Sequence, residues 1–97
     1  MDTKEIMELD EKYVMHTYAR IPLVMDRGDE VRVWDKDGRE YLDFISGIGV
    51  NAVGHCQPEV LNAMREQAQK LLHCSNLYYI EPQTRLAERL CNLSFAD

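Results

Sequence analysis

The segment from Ser46 to Pro58 constrains the fold more than any other part of this chain. It reads Ser-Gly-Ile-Gly-Val-Asn-Ala-Val-Gly-His-Cys-Gln-Pro, so that glycines and apolar residues alternate along a stretch with few polar groups. Glycine lets the backbone adopt positive φ and approach other groups closely, whereas an ordinary connecting loop is mostly polar. We therefore expect a loop that lines a site and then leads into a helix, because Pro58 is typical of a first helical position.

Two simpler interpretations of this segment stay open. Glycines that only let the chain turn into a closely packed helix would explain the spacing without any site. His55 could serve as a general base, but a histidine satisfied by neighbouring backbone groups is the simpler interpretation. Neither a GxGxxG sequence nor a Gly-Lys-Ser/Thr phosphate loop is present, so a known phosphate-binding motif is not indicated.

Length and composition are those of one small globular unit. The chain has 97 residues, of which 45% are hydrophobic and 29% charged, and this allows a modest core. No apolar run approaches the roughly 20 residues that cross a bilayer, and the polar first residues are unlike a secretion signal. We therefore expect a cytoplasmic protein that does not bind membranes. The formal net charge of −6, with scattered basic residues, disfavours nucleic-acid binding.

Cysteine usage indicates reduced thiols. Cys56, Cys74 and Cys91 are three in number and cannot all pair with one another, which is typical of a reducing compartment. The dipeptides His55-Cys56 and His73-Cys74 would offer two nitrogens and two sulfurs to zinc if the fold brought them together. Neither has the CxxC or HxxxH spacing that forms half a site, so we predict no metal site.

A helix and a three-stranded antiparallel meander are predicted for the first half of the chain. Asp2 and Glu5 resemble a capping box at the start of a helix over residues 3–14. The sequence Asp35-Lys36-Asp37-Gly38 fits a type I turn with a left-handed glycine, and Arg27-Gly28-Asp29 is predicted to close the first hairpin. The three β-prone runs cover residues 23–26, 30–34 and 40–44.

One face of this sheet is expected to be buried, because a small antiparallel sheet needs one covered face. Trp34 and Tyr41 are expected to pack partly on the other side. The predicted buried residues are Val31, Val33, Leu42 and Phe44.

Two further helices are predicted to begin at Pro58 and Pro82. Apolar residues at helical spacing extend the first of them to about His73. The second carries its apolar face at Leu86, Leu90 and Leu93. The segment from Cys74 to Glu81 lies between them and places aromatic residues outside a helix, so it is a second site-like loop. The whole is an α+β unit without an internal domain boundary, and the absence of a final cap suggests that the chain is cut short.

Candidate catalytic groups are few. Tyr18 and Arg20 could bind a carboxylate together, since phenol and guanidinium both donate strongly, but a surface arginine beside a packed tyrosine explains the pair as well. The lysines lie in polar surroundings, and none is predicted to be desolvated or activated. We therefore predict no catalytic residue within this chain. The lysines are Lys4, Lys12, Lys36 and Lys70.

Four stretches in this order closely resemble the amino-terminal part of class III pyridoxal-phosphate aminotransferases, and among these the acetylornithine type. The resemblance extends from about Tyr13 to Leu93. The stretches are Tyr18-Ala19-Arg20, Val33 to Phe44, Gly54-His55-Cys56-Gln57-Pro58 and Leu72 to Tyr79.

The resemblance implies a fold and an activity. Residues 1–97 would belong to the small-domain portion of a subunit of fold type I, and the large domain that binds the cofactor would lie outside this chain. The implied reaction moves an amino group from N-acetylornithine to 2-oxoglutarate through pyridoxal phosphate, in arginine biosynthesis, and the implied enzyme is a homodimer. In this family the Schiff-base lysine and the phosphate-binding residues come later than Asp97. We therefore expect the chain alone to be inactive and not to bind the cofactor.

The resemblance carries over a small set of site residues. Tyr18 matches the position where ornithine aminotransferases have a tyrosine near the substrate carboxylate. Ile48, next to Gly47 in the substrate-facing loop, replaces a second substrate-facing tyrosine, and this favours an acylated substrate or a different amine over free ornithine. The residues that resemble the loop at the active-site entrance, near the dimer interface, are Ser75, Asn76, Leu77 and Tyr78.

Two alternative functions stay open. The first is another class III ω-aminotransferase that acts on 4-aminobutyrate, ornithine or succinylornithine. The second is a truncated, non-catalytic interaction module, because the cofactor residues of the family are not among residues 1–97.

Overall fold

A computed structural model of the chain describes residues 1–95. Its elements are α1 (Thr3–Tyr13), β1 (Met25–Asp29), β2 (Arg32–Asp35), β3 (Glu40–Leu42), α2 (Pro58–Ala68) and α3 (Glu81–Leu93). The strands form one antiparallel sheet in the order β1-β2-β3. The predicted α+β order of a helix, a meander and two helices is therefore confirmed. The chain divides into two compact units, residues 1–64 and the residues from Arg65 onward, and each is described by itself below.

A capping box begins α1. The Asp2 carboxylate accepts the backbone N–H of Glu5 at 2.8 Å, and the Glu5 carboxylate accepts the backbone N–H of Asp2 at 2.8 Å. Both donors would otherwise lack a partner at the start of the helix. The predicted helix over residues 3–14 is confirmed, and it ends one residue earlier than expected, at Tyr13.

The second hairpin turn has the predicted sequence, and the first does not. Gly38 has φ of +84° and donates its N–H to the Asp35 carbonyl at 3.0 Å. In the first hairpin Asp29 pairs with Arg32, so residues 30–31 form the turn and the prediction of a turn at residues 27–29 is wrong. The reason is that Gly28 lies within β1, where its missing side chain leaves room for another residue described below.

The predicted buried face of the sheet is also wrong. Val33 lies opposite Tyr41, and Leu42 lies opposite Arg32. Directly opposed residues share a face of the sheet, so Val33 and Leu42 belong to different faces. Within residues 1–64, α1 does not pack on the sheet, and no layer of that unit covers either face. The members of the predicted set that are exposed are Val31, Leu42 and Phe44, the last at 89%.

Trp34 and Tyr41 are half-buried, as predicted, but they do not share a face. Trp34 lies opposite Glu40, and the Arg27 guanidinium stacks on its indole ring at 3.7 Å from the ring centroid. Such a cation–π contact contributes about 0.5–1 kcal/mol at an exposed site. The face that carries Trp34 is thus covered by a charged side chain and not by an apolar layer.

The carboxylate of Asp35 organises the turn between β2 and β3. Asp35 is only 5% exposed. Its Oδ1 accepts the backbone N–H groups of Asp37 and Arg39 at 3.0 and 2.8 Å, and its Oδ2 accepts the Tyr41 hydroxyl at 2.7 Å. The bond from Tyr41 is the largest cause that lowers the pKa of Asp35, and the same bond raises the pKa of Tyr41.

The helix α2 begins at Pro58, as predicted, and ends earlier than predicted. The Gln57 side chain accepts the backbone N–H of Val60 at 2.9 Å and so satisfies a donor in the first turn. The end lies at Ala68 and not near His73. At that end the Gln67 carbonyl accepts N–H groups from both Lys70 and Leu71, a shared arrangement that is common at helix ends.

The helix α3 begins one residue before Pro82, so that proline occupies the second helical position. Arg85 donates to Glu81 at 2.7 Å across one turn. Its predicted apolar face at Leu86, Leu90 and Leu93 is exposed. Nowhere in residues 1–95 is a helix both long enough and apolar enough to cross a membrane.

Candidate functional site

The carboxylate of Asp43, just after β3, binds both ends of the segment at residues 46–54, which we call the glycine loop. Its Oδ1 accepts the backbone N–H groups of Ile45 and Ser46, both at 2.9 Å. Its Oδ2 lies 2.6 Å from Nε2 of His55. One side chain thus holds the glycine loop where it leaves the sheet and where it returns.

His55 is held by its backbone as well as by its ring. Its backbone N–H and carbonyl exchange two hydrogen bonds with Glu30, at 2.7 and 3.0 Å. The ring lies against Gly28, where an added Cβ would come within 2.7 Å of the ring Cγ. The side chains of His55 and Asp43 are 22% and 15% exposed. The histidine is satisfied by its neighbours, although the group that binds its ring is a carboxylate and not the backbone.

The hydrogen bonds that Asp43 accepts determine which nitrogen of the His55 ring carries a hydrogen. They lower the pKa of the Asp43 carboxyl, with the bond from His55 as the largest cause and the Ser46 N–H as the next. An ionised carboxylate can only accept hydrogen bonds, so Nε2 of His55 carries the hydrogen that is shared. This nitrogen is therefore not a free base. The pair acts on the conformation of the loop.

The glycine loop presents Ile48 on a strained backbone. Ile48 has φ of +60° and a 91% exposed side chain. A β-branched residue seldom adopts this left-handed region, which costs on the order of 1–3 kcal/mol. Backbone hydrogen bonds hold the turn: the Ile45 carbonyl accepts the Ile48 N–H at 2.9 Å, and the Ser46 carbonyl accepts the N–H groups of Gly49 and Asn51 at 3.1 and 2.9 Å. The loop therefore holds an apolar side chain in solvent at an energetic cost.

Gly54 allows the loop to return beside the first hairpin. It has φ of +92°, and a Cβ at this position would lie 3.2 Å from the backbone of Glu30. Only glycine combines this conformation with so close an approach at low cost. Glycine is thus required at position 54, because the hydrogen bonds between Glu30 and His55 that close the loop bring the Glu30 backbone close to it.

Tyr18 lies in a different place, beside a cleft of about 400 Å³ that follows α1. Tyr18 is 78% exposed. Arg20 lines the same cleft, and its Nη1 donates to Asp10 at 3.0 Å. Part of the guanidinium is therefore already paired with a carboxylate of this chain. The lining of this cleft contains Tyr18 but neither Gly47 nor Ile48.

The second site-like loop is built around Ser75. Its hydroxyl accepts the backbone N–H of Leu77 at 3.2 Å, and its carbonyl accepts that of Tyr78 at 3.1 Å. The turn leaves the side chains of Leu77 and Tyr78 exposed. Asn76 and Tyr78 line a groove of about 390 Å³. The four residues singled out in this loop therefore share one turn.

The family is decided by comparison with known proteins. The family profile described as Aminotransferase class-III matches residues 13–97. The chain belongs to the class III aminotransferases. The resemblance inferred from the four stretches of sequence is thereby confirmed.

Relatives of this class III aminotransferase segment cover its whole length. An acetylornithine aminotransferase from Methanopyrus kandleri is 46% identical over 97 residues, which are 100% of this chain and 24% of the relative. The solved structure of an acetylornithine aminotransferase from Elizabethkingia anophelis superposes with a TM-score of 0.93 at 34% identity, over 100% of this chain and 25% of that one. An ornithine delta-aminotransferase from Plasmodium falciparum gives 0.92 at 36% identity, over 100% and 25%. The chain thus spans about a quarter of the length of these relatives.

Class III aminotransferases use pyridoxal phosphate, and the lysines of this segment do not fit its covalent attachment. A lysine that forms a Schiff base is activated by burial or by a neighbouring cation. Lys4 and Lys36 are paired with carboxylates at 3.7 and 3.1 Å, and Lys12 and Lys70 are exposed. None of the four lies in a dry or cationic setting, so no step of the chemistry is assigned to them.

The thiols of this aminotransferase segment form no metal centre. Cys56, Cys74 and Cys91 are free. In the part of the chain that the structure describes, no three His, Cys, Asp or Glu side chains converge on one point.

Asp43 is the residue that sequence reasoning missed. An aspartate at a strand end can accept backbone N–H groups two and three residues ahead, and this local pattern indicates a turn organised by its side chain. That signal was available at Asp43-Phe44-Ile45-Ser46. The bond to His55 spans twelve positions along the chain, and no local pattern indicates it.

Proposed function

We propose that this chain is the amino-terminal, small-domain segment of an acetylornithine aminotransferase. The full-length protein would transfer an amino group from N-acetylornithine to 2-oxoglutarate by means of pyridoxal phosphate. The observation that carries this proposal is 46% identity, over all 97 residues, to a protein of that name. The TM-score of 0.93 to a second protein of that name supports it.

The glycine loop supports an acylated donor. Gly47 and Ile48 form the part of the loop that would face the substrate, where the resemblance puts a tyrosine in ornithine aminotransferases. An isoleucine offers dispersion contacts to an acetyl group but no hydrogen bond to a free amine. Specificity for one or two carbon groups in an apolar contact amounts to about 1–3 kcal/mol. Tyr18 is proposed to lie near the substrate carboxylate, because its hydroxyl group can donate a hydrogen bond to a carboxylate oxygen.

The turn at residues 75–78 is proposed to lie at the active-site entrance near a dimer interface. Its exposed Leu77 and Tyr78 support this role, because aromatic and apolar side chains are enriched where surfaces become buried on association. In this proposal the enzyme is a cytoplasmic homodimer of arginine biosynthesis. The cofactor is held by residues outside positions 1–97, and the exposed or paired lysines of the segment support that division.

Steady-state kinetics of the full-length protein that carries this segment test the proposal. Purified holoenzyme is supplied with 2-oxoglutarate and with N-acetylornithine, ornithine, succinylornithine or 4-aminobutyrate in turn. We expect the highest kcat/KM with N-acetylornithine. A coding sequence that continues without a Schiff-base lysine would contradict the proposal, and so would a preference for an unacylated donor.

A second donor class has one observation in its favour. The ornithine delta-aminotransferase from Plasmodium falciparum superposes almost as closely, with a TM-score of 0.92. Fold similarity therefore does not decide which amine is the donor. The ratio of kcat/KM for N-acetylornithine to that for ornithine decides it. A protein with no transamination of any donor, despite bound cofactor, would favour the non-catalytic interaction module.

A further inference from the structure

The glycine loop needs a restraint, because its conformation is not one that its sequence prefers. Ser46 and Ile48 both have positive φ, at +51° and +60°, and neither is a residue that favours this region. Such strain persists only where the surroundings hold the backbone in place. The loop carries no buried apolar side chain that could do so.

The Asp43–His55 pair supplies that restraint. Asp43 binds the N–H groups of Ile45 and of the strained Ser46, and its other oxygen binds the ring that follows the loop. Three charge-assisted bonds on one carboxylate are each stronger than a neutral hydrogen bond. Both side chains are largely shielded from water, so water competes poorly for these bonds.

The pair is itself fixed to the sheet. His55 exchanges two backbone hydrogen bonds with Glu30 at the tip of the first hairpin, and its ring lies against Gly28 of β1. Asp43 follows β3 directly, and its own N–H donates to the Val31 carbonyl at 2.8 Å. The two anchors of the loop therefore belong to one small rigid frame.

We propose that Asp43 and His55 are positioning residues, which hold the glycine loop in the strained conformation that presents Ile48 to the amino donor. The identity of that donor rests on the proposed function. The restraint on the loop does not, since it follows from the contacts alone. Neither residue is proposed to touch the substrate.

Hydrogen–deuterium exchange of the full-length holoenzyme tests the restraint. In Asp43→Ala, which removes all three bonds, we expect amides at positions 45–54 to exchange at least roughly tenfold faster, because even one hydrogen bond to a charged group contributes that much. Asp43→Asn keeps an oxygen for Ile45 and Ser46 and should retain most of the protection. His55→Gln keeps a donor near Nε2 and should exchange more slowly than His55→Ala.

A matched control removes a carboxylate of the same sheet that lies outside the loop. Asp26 pairs with Lys36 at 3.1 Å, and Asp26→Asn should leave exchange at positions 45–54 unchanged. Far-ultraviolet circular dichroism and the cofactor absorbance of each variant verify that the enzyme is folded and loaded.

Kinetics test the consequence for the substrate. We expect Asp43→Ala to lower the ratio of kcat/KM for N-acetylornithine to that for ornithine by roughly tenfold, mainly through KM, with Asp43→Asn restoring part of it.

Unchanged exchange at positions 45–54 in Asp43→Ala overturns the restraint, whatever the activity. Faster exchange with an unchanged donor ratio overturns the positioning role. If the wild-type enzyme transaminates neither donor, the proposed function fails and the substrate role fails with it, while the exchange data still decide the restraint.

Discussion

The imidazole ring of His55 lies so close to Gly28 that an added Cβ would stand 2.7 Å from its Cγ and 2.8 Å from its Nδ1. Real Cβ atoms do not approach ring atoms this closely, so the strand and the ring fit only because position 28 has no side chain. A glycine within a strand often marks such an approach. The contact joins the first hairpin to the end of the glycine loop.

Gly28→Ala should therefore destabilise the hairpin and the loop together. Overpacking of this kind costs about 1–3 kcal/mol, which amide exchange at positions 25–35 and 45–55 of the full-length protein would detect.

The matched control is Gly28→Ala combined with His55→Ala, which removes the ring. If the clash is the cause, alanine at position 28 will cost much less in that background. An equal cost in both backgrounds would show that the methyl group meets something other than the ring.

The parts of the fold that sequence predicts are those that short-range chemistry determines. The capping box of Asp2 and Glu5, the left-handed Gly38 of the second turn and the helix start at Pro58 all depend on residues within four positions of one another. Each rests on a backbone group that must find a partner locally. The resemblance supplied what these patterns do not, which is the family.

The parts that were mispredicted depend on long-range contacts. The sequence pattern predicts Gly28 in a turn, although its role is set by His55, which lies 27 positions later in the chain. The assignment of Val33 and Leu42 to one face failed because register, which the pairing of β2 with β3 sets, decides the face. The bond from Asp43 to His55 is not predicted, because the ring that Asp43 binds comes from beyond the loop. Local patterns carry no information on any of these three contacts.

Tyr41→Phe should lower the free energy of unfolding at neutral pH. It should also reduce the part of that free energy that is lost when the pH falls. The pKa of Asp35 lies below its usual value of 3.8, chiefly through the Tyr41 hydroxyl. A lowered carboxyl pKa stabilises the fold above the unfolded-state pKa, and this contribution is lost as pH falls through the folded-state pKa. Without the hydroxyl, the pKa of Asp35 rises towards 3.8. The difference in the free energy of unfolding between wild type and Tyr41→Phe should thus be largest near neutral pH and shrink below 3.8.

Urea unfolding of the full-length protein at a series of pH values measures this difference. Asp35→Asn is the control, because an amide at position 35 cannot ionise, so that Tyr41→Phe in this background should cost the same at every pH of the series. A gap between wild type and Tyr41→Phe that stays constant from neutral pH into acid would contradict the assignment of the pKa shift to this bond.

Ile48→Tyr should shift the proposed donor preference towards ornithine. A phenol at this position would occupy space that an acetyl group needs and would offer a hydrogen bond to a polar donor. We expect kcat/KM for N-acetylornithine to fall by roughly ten- to a hundredfold relative to that for ornithine. Ile48→Val, which keeps an apolar β-branched side chain on the same strained backbone, is the matched control and should change the ratio little. An unchanged ratio in Ile48→Tyr would show that this side chain does not face the donor.

The isolated chain of 97 residues should associate or remain partly disordered in solution. No apolar side chain is buried within residues 1–95, and Phe44 and Leu77 are among those that are exposed. Exposure of so many large apolar side chains indicates partner surfaces or a tendency to aggregate. Size-exclusion chromatography with light scattering should give a mass above that of a monomer, and thermal melting should be broad.

Phe44→Ser should lower the associated fraction, whereas Lys4→Ser, which alters only an exposed ion pair of little energetic weight, should not. A monomeric peak with a cooperative melting transition would mean that these exposed side chains find a cover within the chain itself.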